Sequence, residues 1–278
     1  MNTKNPNTKS ERVQIMNLNE INSILPFLKD KTGPPRGLNR AYLWEIVSSK
    51  MMRVFYTESE RFDNIFYGYY VENGVVIEDW YTNGIFYEES ILELIESHPD
   101  GEILFAFGEK NIGDKFGWKF LDEIREMMCL ISNFRYTDTC PTFNLHYEKE
   151  IITLLSQGWW SKDQSENFVK VTSSNPNGFS KIILDNNGRV IGFCHTMYDE
   201  GSAWINCVYI NKDSRGKGHA CRLVESALAQ LKGIGITKVF LGVDKSNTNA
   251  IKLYKRLGFE FTDFCKWQFG VDRTSLRR

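Results

Sequence analysis

The chain has 278 residues, 42% hydrophobic and 25% charged, with a formal net charge of −1. It is long enough for one large domain or two of roughly 140 residues, and it carries no global basic field for nucleic acid or an anionic membrane. No apolar run approaches the roughly 18 residues of a membrane span, and the opening MNTKNPNTKSER lacks the apolar core of a signal peptide, so a cytoplasmic location is expected.

Residues 1–12 are polar and rich in Asn, Thr and Lys, the composition of a disordered tail. Leu18, Ile21, Ile24, Leu25 and Leu28 then recur at helical spacing, and KTGPPRG follows with the turn chemistry of a loop. Leu43, Trp44, Ile46 and Val47 supply the apolar side of a second helix over 40–49. MRVFYT, IFYGYYV and VVIEDWY are rich in aromatic and β-branched residues and predict strands, with Asn73-Gly74 as a two-residue hairpin turn between the last two. A helix over 89–97, a strand over 102–107 and a helix over 117–130 complete this half.

The second half repeats the order. A helix over 148–157 precedes the strands SKIILD, RVIGFCHTM and SAWINCVYI, the first two joined by a turn at Asn186-Asn187-Gly188. A glycine-bearing loop and a long helix follow, then a strand over 238–243 and a helix over 249–257. Both halves read as helix, antiparallel strands, helix, strand, helix, so the expectation is two tandem units, 1–138 and 139–278, with no Pro/Gly/Ser-rich linker between them. The six cysteines form no CxxC pair and the four histidines show no ligand spacing, so neither a disulfide framework nor a metal is expected.

Chemistry concentrates in two stretches. In SRGKGHACRLVES (214–226), Arg215, Lys217, His219 and Arg222 crowd the start of a helix whose peptide dipoles already place about half a positive charge there. Ala220, Leu223, Val224, Ala227, Leu228 and Leu231 form one apolar stripe that ends at Gly233, so the helix packs on the sheet with its N-terminus at the end of the strand WINCVYI. Gly216 and Gly218 let the loop approach a ligand, and its unpaired N–H groups together with the dipole suit an anion. A mononucleotide P-loop requires GxxxxGK[ST], which is absent, and the dinucleotide fingerprint requires a third glycine where Cys221 stands. The second stretch, NTNAIKLYKRLGF (247–259), reads as a helix capped by Asn247 or Asn249, packed through Ala250, Leu253, Tyr254 and Leu257, and stopped by Gly258.

Together these stretches resemble the GNAT acyltransferase superfamily over roughly residues 165–265. Arg215, Gly218 and Ala220 match its loop pattern [QR]-x-x-G-x-[GA], and Asn247, Ala250, Leu253, Tyr254, Gly258 and Phe259 match its later segment. The resemblance implies an α/β fold with a mixed, mostly antiparallel sheet flanked by helices. It also implies acetyl-CoA as co-substrate, its diphosphate on the amides of Arg215, Gly216, Lys217, Gly218, His219 and Ala220. The pantetheine arm would lie along Val208, Tyr209 and Ile210, within reach of Asn247 and Asn249.

Tyr254 matches the family's general acid, and a backbone N–H near Val208 its oxyanion donor. An amine with a pKa near 10.4 must also lose a proton before it attacks, and Glu200 and His195 are both candidates for that base. Asn206 sits close to the reaction centre but cannot be a base. The equivalent loop of the first half, TNGIFYEES (82–90), carries Glu88 and Glu89, which would repel a diphosphate, so one CoA site per chain is expected. The expected acceptor is a small-molecule amine or an amino acid derivative, with Trp159, Trp160 and the aromatic segment 134–147 as possible pocket walls. Two other functions stay open. One is a non-enzymatic acyl-CoA-binding module, and the other is aminoacyl transfer from charged tRNA, which the near-neutral charge disfavours.

Overall fold

The computed structural model describes residues 13–15, 45, 48–49, 52–57, 64–71, 74–82, 88–107, 110–158, 160–199 and 201–273. The expected tail 1–12, the helix over 18–28, most of that over 40–49, and Asn73, Trp159 and Glu200 lie outside the described residues. The first half contains β1 (Val13–Ile15), β2 (Met52–Thr57), β3 (Asn64–Val71), β4 (Gly74–Thr82), α1 (Glu88–Glu96), β5 (Glu102–Phe107), α2 (Lys110–Lys115) and β6 (Lys119–Leu130). The second contains α3 (Glu148–Ser156), α4 (Lys162–Ser174), β7 (Gly178–Leu184), β8 (Val190–Asp199), β9 (Ser202–Ile210), α5 (His219–Gly233), β10 (Lys238–Asp244), α6 (Thr248–Arg256) and β11 (Glu260–Gly270).

These strands form one sheet in the order β1-β2-β3-β4-β5-β11-β6-β10-β9-β8-β7. Each half runs through an antiparallel meander to a parallel neighbour, β4 beside β5 and β9 beside β10. The last strand of each half then crosses over. β6 pairs with β10, β11 pairs with β5, and β6 and β11 pair with each other at the centre.

The segment expected as a helix over 117–130 is therefore mostly strand β6. Its apolar residues Leu121, Ile124, Met127 and Met128 fit helical spacing, but ladder partners on both edges decide the conformation. Tertiary pairing overrides local pattern here. Four further elements, β1, α2, α4 and β11, were absent from the sequence reading. Helix α4 begins with a capping box in which Ser161 and Gln164 satisfy each other's backbone N–H groups. Strand β11 carries a register shift between Phe261 and Cys265.

The stripe expected on α5 is the heart of the second-half core. Leu223, Val224, Ala227, Leu228 and Leu231 are fully buried with Ile205, Leu241, Met127 and Cys129, and each Leu or Val contributes roughly 1.5–3 kcal/mol by leaving water. Helices α3 and α4 cover the opposite face through Ile151, Leu154, Leu155 and Val169. A separate core in the first half packs Ile91, Leu94 and Ile95 of α1 on Ile77, Phe105 and Phe269. Phe269 comes from β11, so that core is closed by the last strand of the chain.

Candidate functional site

The site begins where β9 and β10 part. Their parallel pairing ends at Leu241↔Ile205, and at the same level the β8–β9 ladder steps from Thr196↔Ile205 to His195↔Cys207. Asn206 is left unopposed as a β-bulge, which bends the strand. From Asn206 to Ile210 the edge of β9 that faces β10 has no strand partner among the described residues.

Beyond Ile210 the chain makes a short turn at Lys212–Ser214, held by Asp213 N–H donating to Asn211 Oδ1 at 3.0 Å. Gly216 (φ +78°) and Gly218 (φ +81°) then take left-handed backbone conformations open to glycine, and a Cβ at either would meet no atom within 4 Å. Gly218 caps α5, whose first backbone bond runs from Arg222 N–H to Gly218 O. Among the described residues, the N–H groups of Gly216 through Cys221 donate to no protein acceptor. A run of bare amides on the positive end of a 15-residue helix is an anion cradle.

The cradle opens into a cleft of about 350 Å³. Ile210, Arg215, Gly216, Gly218, His219 and Ala220 line one wall, and Asn249 on α6 stands opposite. Ser214, Cys221, Lys252, Leu253 and Arg256 also line it and were not expected as site residues from the sequence. The signal for the α6 group was available, because 249, 252, 253 and 256 share one helical face.

Several expected residues have contacts beyond the cleft, or lie away from it. Arg215 is folded back, its Nε donating to Ile210 O at 3.0 Å and its guanidinium 5.6 Å from the Tyr209 ring centre. Lys217 Nζ donates to Asp213 O at 3.2 Å. Tyr209 is buried against α3 and α4, and Val208 is half-buried against the α5 side, so any role for this pair belongs to their backbone edge. Asn247 caps α6 by accepting from Ala250 N–H at 3.1 Å.

The other end of α6 is pinned by Tyr136, whose hydroxyl donates to Leu257 O at 3.0 Å. Between these anchors Tyr254 lies half-buried, its ring edge-on to Phe259 at 5.8 Å. Its hydroxyl makes no hydrogen bond among the described residues. Burial pushes its pKa well above the ordinary tyrosine range, and the thiols of Cys194 and Cys207 on β8 and β9 add to the shift. The hydroxyl is thus a neutral donor near the unpaired stretch of β9.

His195 is placed differently from the sequence expectation of a base. It is fully buried, with Nδ1 2.9 Å from Ser180 Oγ and Nε2 2.8 Å from Glu45 Oε1, while Phe168 packs edge-on against the ring. Both ring nitrogens are occupied and no face is open to an acceptor, so His195 is a structural residue that ties the first half to β8. Glu45 also accepts from Asn175 Nδ2 at 2.6 Å.

The pairing of β4 with β5 ends at Glu78↔Ala106, and there Glu78 forms a buried ion pair with Lys266 of β11. All six cysteines are free thiols, and no group of three or more potential metal ligands converges among the described residues.

Residues 141–259 match the model of the acetyltransferase (GNAT) family. A mycothiol acetyltransferase from Thermobispora bispora is 30% identical over 110 residues, which cover 37% of this chain and 37% of that protein. The chain therefore aligns with little more than a third of this curated relative. A solved tandem GNAT protein from the clavulanic acid biosynthesis pathway has a TM-score of 0.65 at 12% identity, covering 93% of this chain and 98% of that one. A GCN5-related N-acetyltransferase from Sphaerobacter thermophilus has a TM-score of 0.62 at 13% identity, covering 93% and 94%. At such identities the likeness is one of fold, and it extends over both halves.

Proposed function

Since residues 141–259 form a domain of the GNAT family, we propose that the protein is an N-acetyltransferase. In this reading it moves the acetyl group of acetyl-CoA to the primary amine of a small molecule or amino acid derivative, by direct attack in a ternary complex. The observation that carries the reading is the run of bare amides from Gly216 to Cys221, opening on a cleft whose far wall is α6. Those amides hold the diphosphate of the carrier. The unpaired edge of β9 from Asn206 to Ile210 offers backbone groups to the two amides of the pantetheine arm, which leads the thioester to the gap beside β10.

At that gap the neutral amine attacks the thioester carbonyl. A backbone N–H near Val208 donates to the oxyanion, and collapse expels the thiolate of CoA. The Tyr254 hydroxyl, neutral at pH 7 like any tyrosine and kept so further into the alkaline range by burial, delivers the proton to that sulfur. With His195 sealed in the core, the acceptor's proton leaves through water or through Glu200. The name of the Thermobispora bispora relative supports acetyl as the acyl group.

The test is a thiol-release assay with acetyl-CoA against a panel of amines, amino acids, aminoglycosides and peptides. Release that depends on one acceptor class supports the proposal. Tight acetyl-CoA binding with no release for any acceptor supports a binding module instead.

A further inference from the structure

Lys252 and Arg256 stand one turn apart on the face of α6 that lines the cleft, with Asn249 and Leu253 completing the i, i+3, i+4, i+7 stripe. Like charges at i, i+4 repel, and helices ordinarily relieve them with an acidic neighbour. Here no carboxylate lines the cleft, and among the described residues neither side chain forms an ion pair or hydrogen bond. Their neighbour Lys255 is engaged elsewhere, 5.4 Å from the centre of the Phe261 ring. Across the cleft, His219 Nδ1 is buried without a hydrogen-bond partner among the described residues. The cleft therefore holds two cationic side chains on the α6 wall and an unpartnered ring nitrogen on the other, and only that other wall carries the bare amides.

Coenzyme A carries two separate anionic groups, a diphosphate and a phosphate monoester on the ribose 3′-oxygen. The monoester, with a second pKa near 6, is close to a dianion at pH 7 and is the more demanding of the two. The Cα atoms of Lys252 and Arg256 are about 6 Å apart along the helix, a span two long side chains can close on one phosphate.

We infer that Lys252 and Arg256 form a second anion subsite, distinct from the loop amides, that takes the 3′-phosphate and makes the protein discriminate against 3′-dephospho carriers. The inference rests on the acyl-CoA reading of the loop. It adds a specificity determinant on a different helix, and it predicts which part of the carrier α6 recognises.

Calorimetric titration of the full chain with CoA and with 3′-dephospho-CoA tests it. The wild type is expected to bind CoA about tenfold more tightly, the gain of charge-assisted contacts to one phosphate. The Lys252→Ala/Arg256→Ala variant is expected to bind both forms alike, at the wild-type affinity for 3′-dephospho-CoA. Each single variant should lose about a threefold share of the preference, which covers the case of a double variant that folds poorly. Equal affinity of the wild type for the two forms overturns the subsite, as does a preference that survives in the double variant. A double variant that weakens both forms by the same factor assigns these cations to the diphosphate and also overturns it. If neither form binds the wild type, the acyl-carrier reading itself falls.

Discussion

Replacing Gly218 by Ala separates backbone strain from ligand contact at the cradle. Gly218 has φ +81°, and an added Cβ would meet nothing within 4 Å, so the variant suffers no clash. The stability cost is that of a left-handed L-residue, roughly 1–2 kcal/mol. For a chain of this size each kcal/mol lowers the melting temperature by about 2–4 °C. Gly188 provides a matched control, because it has φ +76°, equally open surroundings, and a place in the β7–β8 turn. Both variants should melt a few degrees early. Only Gly218→Ala puts a methyl group where the diphosphate approaches the amides, and losing one charge-assisted contact of about 1.5–3 kcal/mol weakens acetyl-CoA binding by about tenfold to a hundredfold. Calorimetric titration of both variants, beside thermal melts, reads the two effects separately. If Gly218→Ala binds acetyl-CoA as tightly as Gly188→Ala does, the cradle is not where the carrier sits.

Tyr254→Phe should keep acetyl-CoA affinity while lowering kcat about a hundredfold or more, the usual worth of a positioned acid. Because the Tyr254 pKa is raised in the folded state, its neutral form is favoured. Its contribution to stability is complete below the unfolded value of about 10 and is lost as pH climbs beyond it. The pH–kcat profile should therefore rise as the acceptor amine deprotonates and show no falling limb below about pH 10. A falling limb at lower pH that disappears in Tyr254→Phe would contradict the burial argument. His195→Ala should strand Ser180 Oγ and remove one partner of Glu45, costing roughly 1–3 kcal/mol in thermal or urea melts. The folded fraction should retain kcat, whereas a large kcat loss without destabilisation would restore His195 as a base. Glu78→Ala leaves Lys266 buried opposite a missing charge and should cost roughly 3–5 kcal/mol. Titration of the wild type should give one acetyl-CoA per chain, since Glu88 and Glu89 in the equivalent stretch of the first half would repel a diphosphate, and two equivalent sites would refute that reading.

The elements legible in the sequence were those whose local pattern and tertiary role agree. Strands MRVFYT and SAWINCVYI match β2 and β9 residue for residue. The apolar stripe of α5 follows directly from side-chain period, and N-cap chemistry narrowed the cap of α6 to Asn247 or Asn249, of which the structure uses Asn247. What misled was β6, where helical spacing of apolar residues coincides with a strand paired on both edges. Only knowledge of its partners β10 and β11 distinguishes the two. The environment of His195 was equally hidden. Its partners Ser180 and Glu45 lie 15 and 150 residues away, and no periodicity reports contacts of that kind. Lys252 and Arg256 were readable as a helical face, but their lack of acidic partners emerges only once the cleft is formed.

The crossing of β6 and β11 bears directly on the site. The family match covers 141–259, a span that begins after β6 and stops before β11. Within it β10 has only β9 on one side, and its other edge is closed by Lys238↔Leu130 through Asp244↔Ile124 of β6. Without that strand, β10 would present a row of unpaired N–H and C=O groups, the edge that promotes aggregation. Met127 and Cys129, both essentially unexposed, would also leave the core that seats α5. Strand β10 leads straight into the cap of α6, where Asp244 O accepts from Asn247 N–H at 2.9 Å. The placement of Tyr254, Lys252 and Arg256 therefore depends on a strand from the other half. The first half contributes a strand to the frame of the site, and the second half returns Phe269 to the core of the first. This reciprocal dependence fits a junction without a flexible linker: the two halves of the chain share the central strands of one sheet, and neither half pairs all of its own strands alone.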